Sequence, residues 1–256
     1  SIDQLNKSAI ASPLVSKAPR YTAIQAAVDM APGNNPDLGL ALTYLIDRER
    51  VLKTVLRDNG VIGNDHPIMN GSPYYDAMLA PRKLDRDKAK FHLAKSGIGS
   101  SPVPVHVSDA SAFSVEIGQL LQREAAGVGL NLDLRREPAD SYWSAVAGKK
   151  PFFATTFNPR PTYNMLLNLT WKSGAAWNFS HYSNKALDAL IDKARVTLDE
   201  GQRKGVYAEI QAIIHTSGAL VLPCFITYVD GISRQVQGLT SIPVGPLGGL
   251  NFTDSV

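Results

Sequence analysis

The stretch from Val103 to Leu134 constrains the fold more than any other part of the chain. VPVHV (Val103 to Val107) has the composition of a strand. Apolar residues then recur at helical spacing up to Val128, and Leu130 to Leu134 alternate apolar and polar residues as a second strand does. A strand, a helix and a strand within about thirty residues form a βαβ unit, whose two strands are parallel. The sequence therefore predicts an α/β architecture.

The remaining elements follow from the same periodicities and from Pro, Gly and capping residues. Asn35 and Pro36 begin a helix whose leucine stripe continues to a stop at Asn59-Gly60. The other predicted elements are a helix from Asp85 to Gly97, a short helix near 140–146, a strand at 151–157, a helix capped by Ser183, a helix through Val206 and Ile214, and extended segments at 220–226 and 228–233.

Composition excludes several classes of protein. Lys and Arg number 26 against 23 Asp and Glu, with no run of like charges, which argues against a nucleic-acid partner. The sequence contains no stretch of about 18 consecutive apolar residues, so it predicts no membrane span. The single Cys224 excludes an internal disulfide, and the five scattered histidines predict no metal site. Nucleophile-elbow and phosphate-loop motifs are lacking, so we expect no catalytic residue and no cofactor.

A candidate binding site lies where two strands end. Ligands of open α/β sheets bind outside the carboxyl ends of strands. Arg160 follows the strand at 151–157 and lies between two prolines, which fix the backbone and lower the cost of ordering the guanidinium. Arginine suits a carboxylate because it can form two parallel hydrogen bonds. The alternative is that Arg160 forms a structural ion pair.

Other residues are candidates for the same site. Aromatic rings and amides near Arg160 could wall a pocket: Asn158, Tyr163, Trp177 and Asn178. Trp171 could wall the same pocket, but we expect it to belong to a core-facing helix stripe with Leu167. By position alone, the cleft candidates are Ser108, Asp109 and Ser111 after the first strand, and Asp65 and His66 in GNDHPI. Turn capping is the alternative role of Asp65 and His66.

Five strings, in one order, carry a resemblance to a known family. Their most specific features are the AL-x-x-x-IDR, D-x-x-K-A-K-x-x-L and D-x-x-x-R-x-x-x-Y patterns. The strings are ALTYLIDRERVLKTVLRDNGVIGNDHPI, KLDRDKAKFHLAKSG, GVGLNLDLRREPADSYW, NPRPTYNMLLNLTWKSGAAWNFSHYSN and ARVTLDEGQRKGVYAEIQAII. Across about residues 25 to 256, the chain resembles the substrate-binding proteins of peptide-type (dipeptide/oligopeptide, family 5) ABC importers.

This resemblance implies a two-lobed, class II periplasmic-binding-protein-like fold, of which the chain supplies the second lobe. That lobe is a mixed sheet flanked by helices. The implied division is a hinge-proximal segment (1–30), ligand-binding lobe II (31–219) and a segment returning toward the missing lobe I (220–256). The resemblance also implies a periplasmic or extracytoplasmic location. The start of the chain lacks the basic and apolar regions of a signal peptide, so we expect the signal to be absent from this sequence.

The resemblance also implies a ligand and partners. Peptide binders of this class commonly carry a W-x-x-D-type sequence whose aspartate meets the α-amino group of the peptide. TFNPRP places Arg160 at or next to that aspartate, which reverses the charge. We therefore expect a peptide or a small carboxylate-bearing compound, such as an amino-acid conjugate or an opine-like molecule. The implied partners are the missing N-terminal lobe and the membrane permease subunits.

Two alternatives stay open at this point. One is an α/β hydrolytic enzyme with a spatially assembled Ser/His/Asp site. The other is a sensor or interaction lobe of the same fold.

Overall fold

A six-stranded sheet forms the centre of the protein in a computed structural model that describes residues 2–239 and 241. The strands are β1 (Ala11–Ala26), β2 (Gly60–Ile62), β3 (Val103–Val107), β4 (Leu132–Arg136), β5 (Phe152–Phe157) and β6 (Leu220–Ser233). Their order is β2-β6-β1-β5-β3-β4. β3 is parallel to β4 and β5, whereas β1 is antiparallel to β5 and β6. The predicted mixed α/β sheet is confirmed.

Helices cover both faces of the sheet. They are α1 (Ile2–Lys7), α2 (Pro36–Leu45), α3 (Arg48–Arg50), α4 (Arg86–Ser96), α5 (Ser114–Ala126), α6 (Tyr142–Ala145), α7 (Tyr163–Thr170), α8 (Lys185–Val196) and α9 (Glu200–Thr216). α2, α4 and α5 contribute to one apolar core, and α7, α8 and α9 to another across the sheet. Within the described residues, no helix is both long and apolar enough to cross a bilayer.

The βαβ prediction is confirmed, with its second strand beginning two residues later than expected. β3, α5 and β4 follow one another, and Val103 pairs with Leu132 in parallel register. Trp171 is buried against the core beside Leu167, as predicted.

The helix predicted from Asn35 to the stop at Asn59-Gly60 is not continuous in the structure, because it is interrupted at Ile46 and Asp47. Asn35 caps α2 as expected, but Ile46 is extended and ends the helix. The carboxylate of Asp47 accepts a hydrogen bond from the backbone N–H of Arg50, so a new turn starts there instead of the old helix continuing. α3 then passes into a π-helical segment, Val51–Val55. The leucine stripe is thus divided between two short helical pieces.

Strands β1 and β6 form a ribbon that runs past the carboxyl edge of the sheet. Tyr21 pairs with Phe157, the last residue of β5, and also with Phe225. Residues 11–16 continue beyond that point and pair with 228–233. Both flanking segments therefore share the sheet of residues 31–219, and the division at 30/31 and 219/220 stays a prediction. Residues 240 and 242–256 of the return segment lie outside the described residues.

Candidate functional site

A half-open cavity of about 850 Å³ lies beyond the carboxyl end of β5. The first turn of α7 forms one wall, and the end of α8 and the start of α9 form another. The loop from Met69 to Tyr74 and the β1 residues Lys17 and Pro19 complete the lining. A cleft of this size at the carboxyl ends of strands is typical of small-molecule sites in α/β folds.

Arg160 reaches this cavity from the loop between β5 and α7. Its Nη1 donates to the carbonyl oxygen of Pro159 at 3.0 Å, and its guanidinium lies over the ring of Trp177, 5.2 Å from the centroid. These contacts orient the side chain without neutralising it. In the part of the chain that the structure describes, Arg160 has no carboxylate partner, so its charge is available to a ligand.

The lining of the cavity has one sign of charge. Its basic residues are Lys17, Arg160, Arg195 and Arg203, and none of the described lining residues is Asp or Glu. The N-terminal end of α7, which carries partial positive charge, also faces this space. Like charges along one cleft reinforce each other's potential, so the cavity favours an anionic ligand.

Three tyrosines supply apolar wall and neutral polar groups. The hydroxyl of Tyr163 accepts a hydrogen bond from the backbone N–H of Met69 at 3.4 Å, which ties α7 to the loop. The rings of Tyr74 and Tyr207 pack with centroids 4.5 Å apart. Burial raises the pKa of Tyr163 and raises that of Tyr207 to about 12. Both phenols therefore stay protonated at neutral pH and add no negative charge.

Asn158 and Trp177 adjoin Arg160, whereas Asn178 is internal. The Asn158 side-chain oxygen accepts a hydrogen bond from the hydroxyl of Tyr228 on β6 at 3.2 Å, and Trp177 is 42% exposed. Asn178 is buried; its Nδ2 donates to the carbonyl oxygens of Lys172 and Tyr182 at 3.1 and 2.8 Å. The amide of Asn178 therefore holds the loop that presents Trp177.

The residues after β3 lie at the same edge of the sheet but do not line the cavity. Ser108 and Ser111 are buried, and the Ser111 hydroxyl shares a hydrogen bond of 2.8 Å with Thr156 on β5. Ser108 Oγ accepts from the backbone N–H of Ala110. Asp109 is exposed and forms an ion pair with Arg136. The two serines thus fix the β3–α5 turn, and Asp109 remains the polar group on its surface.

Asp65 and His66 have no exposed surface and lie away from the cavity lining. Both oxygens of Asp65 accept from Arg48, at 2.7 and 2.6 Å, and one also accepts from Arg82 at 2.7 Å. The backbone N–H of Leu222 donates to the same carboxylate at 2.9 Å. Asp65 therefore ties its loop to β6 in the core, which is a structural role in place of the expected ligand contact.

His66 is fully buried next to Asp65, and the charges of Asp65, Arg82 and His215 act on it. Desolvation by burial, and to a smaller extent the charge of His215, lower its pKa to about 3. Burial likewise lowers the pKa of His215, whose Nδ1 bonds to the carbonyl oxygen of Asn64 at 2.8 Å. Both imidazoles are therefore neutral at physiological pH.

Sequence reasoning missed several residues of the cavity, namely Lys17, Tyr74, Arg195, Arg203 and Tyr207. No local pattern marks them, because they converge only when the α8–α9 pair packs beside α7. One available signal was the pair Tyr74-Tyr75 inside the turn-rich segment GSPYYD, since adjacent aromatics in a polar loop need a packing partner.

Residues 1–179 match the family model described as bacterial extracellular solute-binding proteins, family 5 middle. Over 224 residues the chain is 26% identical to Di/tripeptide-binding protein 2 of Pseudomonas aeruginosa (strain UCBPP-PA14). This alignment covers 83% of this chain and 42% of that protein. The structure of NikZ from Campylobacter jejuni in complex with Ni(L-His) matches with a TM-score of 0.86 and 19% identity, over 99% of this chain and 54% of that one. The structure of AgaA in complex with agropinic acid, from A. tumefaciens R10, matches with a TM-score of 0.80 and 20% identity, over 96% and 51%.

These structural matches confirm the predicted binding-protein-like fold. The chain spans about half the length of the proteins that it matches.

Proposed function

Because the chain belongs to the bacterial extracellular solute-binding proteins of family 5, we propose that it is the second lobe of the solute-binding component of an ABC importer. It binds a peptide or a small carboxylate-bearing compound and closes on it together with a first lobe. The loaded protein then docks on the permease subunits at the outer face of the membrane. The relative named above is a di/tripeptide-binding protein, and one structural neighbour holds agropinic acid, which supports this range of ligands.

The observation that carries the proposal is the unpaired charge of Arg160 at the wall of the cavity. Its guanidinium is oriented by Pro159 and Trp177, while no carboxylate of the described residues competes for it. A ligand carboxylate would neutralise the charge of Arg160 through charge-assisted hydrogen bonds. A free α-amino group at the same place would be repelled, so Arg160 selects the acid end of a ligand.

The β1–β6 ribbon supports the two-lobed part of the proposal. It leaves the carboxyl edge of the sheet beside the cavity, and Tyr228 on this ribbon contacts both the Arg20 guanidinium, 5.3 Å from its ring, and Asn158. Movement of the ribbon would therefore displace the loop that carries Arg160. This position fits a hinge to the first lobe.

The test uses the complete natural protein and two matched peptides in calorimetry, N-acetyl-Ala-Gln and its C-terminal amide. The free acid should bind at least about tenfold more tightly, since a charge-assisted pair is lost in the amide. Arg160→Gln should remove that preference. Arg123→Gln is the matched control, because Arg123 is exposed on α5 across the sheet from the cavity. If Arg160→Gln leaves the affinity for the acid within about twofold of the natural protein, the proposal is wrong.

A further inference from the structure

The cavity has a second cationic end at the start of α9. The guanidinium of Arg203 donates from Nε to the carbonyl oxygen of Thr197 at 2.6 Å and from Nη2 to that of Leu198 at 3.3 Å. Its Nη1 donates to the hydroxyl of Tyr74 at 3.1 Å. All three acceptors are uncharged, and no carboxylate of the described residues lies within ion-pair distance of Arg203. The side chain is therefore held in one orientation with its charge unpaired.

Tyr74 is held as firmly as Arg203. Its carbonyl oxygen accepts from the side-chain amide of Gln211 at 2.9 Å, and its ring packs on Tyr207. Because its hydroxyl oxygen already accepts from Arg203, the hydroxyl proton is left to donate to a third group. Each terminal nitrogen of Arg203 also keeps a second N–H. Together the two side chains form a set of donors that needs little ordering when a ligand binds.

This pair and Arg160 line the same cavity from different elements. Arg160 precedes α7, while Arg203 lies in α9, and Tyr163, Met165 and Leu166 contribute to the wall that they share. Lys17 and Arg195 add further positive charge to the lining. The charge of Glu200 acts on Arg203, but no carboxylate of the described residues lies within ion-pair distance of it. A ligand with a single carboxylate would therefore satisfy Arg160 and leave the Arg203 end without a direct anionic partner.

We propose that the ligand carries two anionic groups, one bound by Arg160 and the other by Arg203 and the hydroxyl of Tyr74. This inference rests on the proposed function. It narrows the ligand to acidic peptides, N-acylated acidic amino acids and other dicarboxylates with an apolar or neutral body between their charges.

The test adds a third peptide, N-acetyl-Ala-Glu, which differs from N-acetyl-Ala-Gln only by the second carboxylate. Calorimetry on the complete natural protein should show at least about tenfold tighter binding of the Glu peptide, the usual size of a charge-assisted hydrogen-bonded pair. Arg203→Gln should reduce this ratio to below about twofold. Tyr74→Phe keeps the ring and removes the hydroxyl, and should reduce the ratio by about threefold.

Lys204→Gln is the matched control. Lys204 is exposed, follows Arg203 directly and does not line the cavity, so the same change of charge should leave the ratio as it is. Equal binding of the Glu and Gln peptides overturns the inference; if Arg160→Gln still weakens both, the proposed function stands. If the ratio of the affinities for the Glu and Gln peptides is unchanged in Arg203→Gln, Arg203 does not bind the second anionic group and that assignment is wrong. Failure of all three peptides to bind at millimolar concentration overturns both proposals.

Discussion

Two groups of arginines in this protein have opposite relations to carboxylate. Arg48 and Arg82 are buried and converge on Asp65, which also accepts a backbone hydrogen bond from β6. Arg160 and Arg203 lie at the cavity and donate only to neutral oxygens or lie over a ring. The first group has its ion-pair partner inside the fold, and the second has no carboxylate of the described residues within ion-pair distance.

The difference shows how a structural arginine can be told from a binding one. A guanidinium whose charge is met by a buried carboxylate contributes to holding elements together, because separating the pair would leave charge in the core. A guanidinium that is oriented by uncharged groups keeps its electrostatic potential for a molecule that arrives later. The three predictions below test this contrast.

Asp65→Asn should have the largest effect, and it is on folding. The change keeps the shape of the side chain but leaves Arg48 and Arg82 buried without a counter-charge. Removal of one member of a buried ion pair typically costs about 3–5 kcal/mol, so the free energy of unfolding should fall by that amount. Urea titration followed by circular dichroism measures it.

Asp109→Asn is the matched control, since this carboxylate forms its ion pair with Arg136 on the surface. It should unfold at the same urea concentration as the natural protein, because exposed pairs contribute little. Equal stability of the Asp65 and Asp109 variants would contradict the structural role of the buried cluster.

The buried cluster should also make stability depend on pH. The pKa of His66 is lowered by burial from 6.5 to about 3 in the folded protein. Between these values the unfolded chain binds a proton that the folded chain does not, so stability is complete above pH 6.5 and is lost as the pH falls. The slope is about 1.4 kcal/mol per pH unit for each such histidine, and His215 shifts in the same direction.

Urea titrations at pH 7.5, 6.0 and 5.0 measure this slope. His66→Phe removes the titrating group and keeps a ring near Tyr75, so its stability should fall less steeply below pH 6.5. His181→Asn is the control, because His181 is exposed and its positive φ suits asparagine. If the free energy of unfolding of the natural protein and of His66→Phe falls with pH at the same slope, His66 is not the source of the pH dependence.

The sequence predicts the helices and strands around these arginines better than it predicts the partners of their charges. Strand composition and apolar periodicity identify β3, α5 and β5, because the burial of these elements follows from the local spacing of apolar residues. The same reasoning places Arg160 at a strand end, where the structure puts the cavity. It extends the first helix too far, because the competing hydrogen bond of Asp47 is a local choice that the leucine pattern hides.

The partners of charged residues are less predictable. Asp65 is 17 residues from Arg48 and 157 from Leu222, and only the folded sheet brings all of them together. Arg203 and Tyr74 are 129 residues apart in the chain. A sequence shows that a charge exists, but its counter-ion is set by the packing of distant elements. Sequence reasoning therefore places Asp65 in the cleft and does not identify Arg203.

Trp177→Leu should have the smallest effect, and it is on ligand affinity alone. The indole lies under the guanidinium of Arg160 and is 42% exposed, so its loss removes a cation–π contact and leaves the core intact. Such contacts at exposed sites contribute about 0.5–1 kcal/mol, which corresponds to a two- to fivefold weaker affinity for N-acetyl-Ala-Gln in calorimetry. Trp143→Leu is the matched control, since Trp143 is 43% exposed and packs on Tyr142 instead. An equal loss of affinity in both variants would mean that the ring of Trp177 does not orient Arg160 for the ligand. If Trp177→Leu, but not Trp143→Leu, lowers the free energy of unfolding, the contact of Arg160 with Trp177 would have a structural role like those of Arg48 and Arg82.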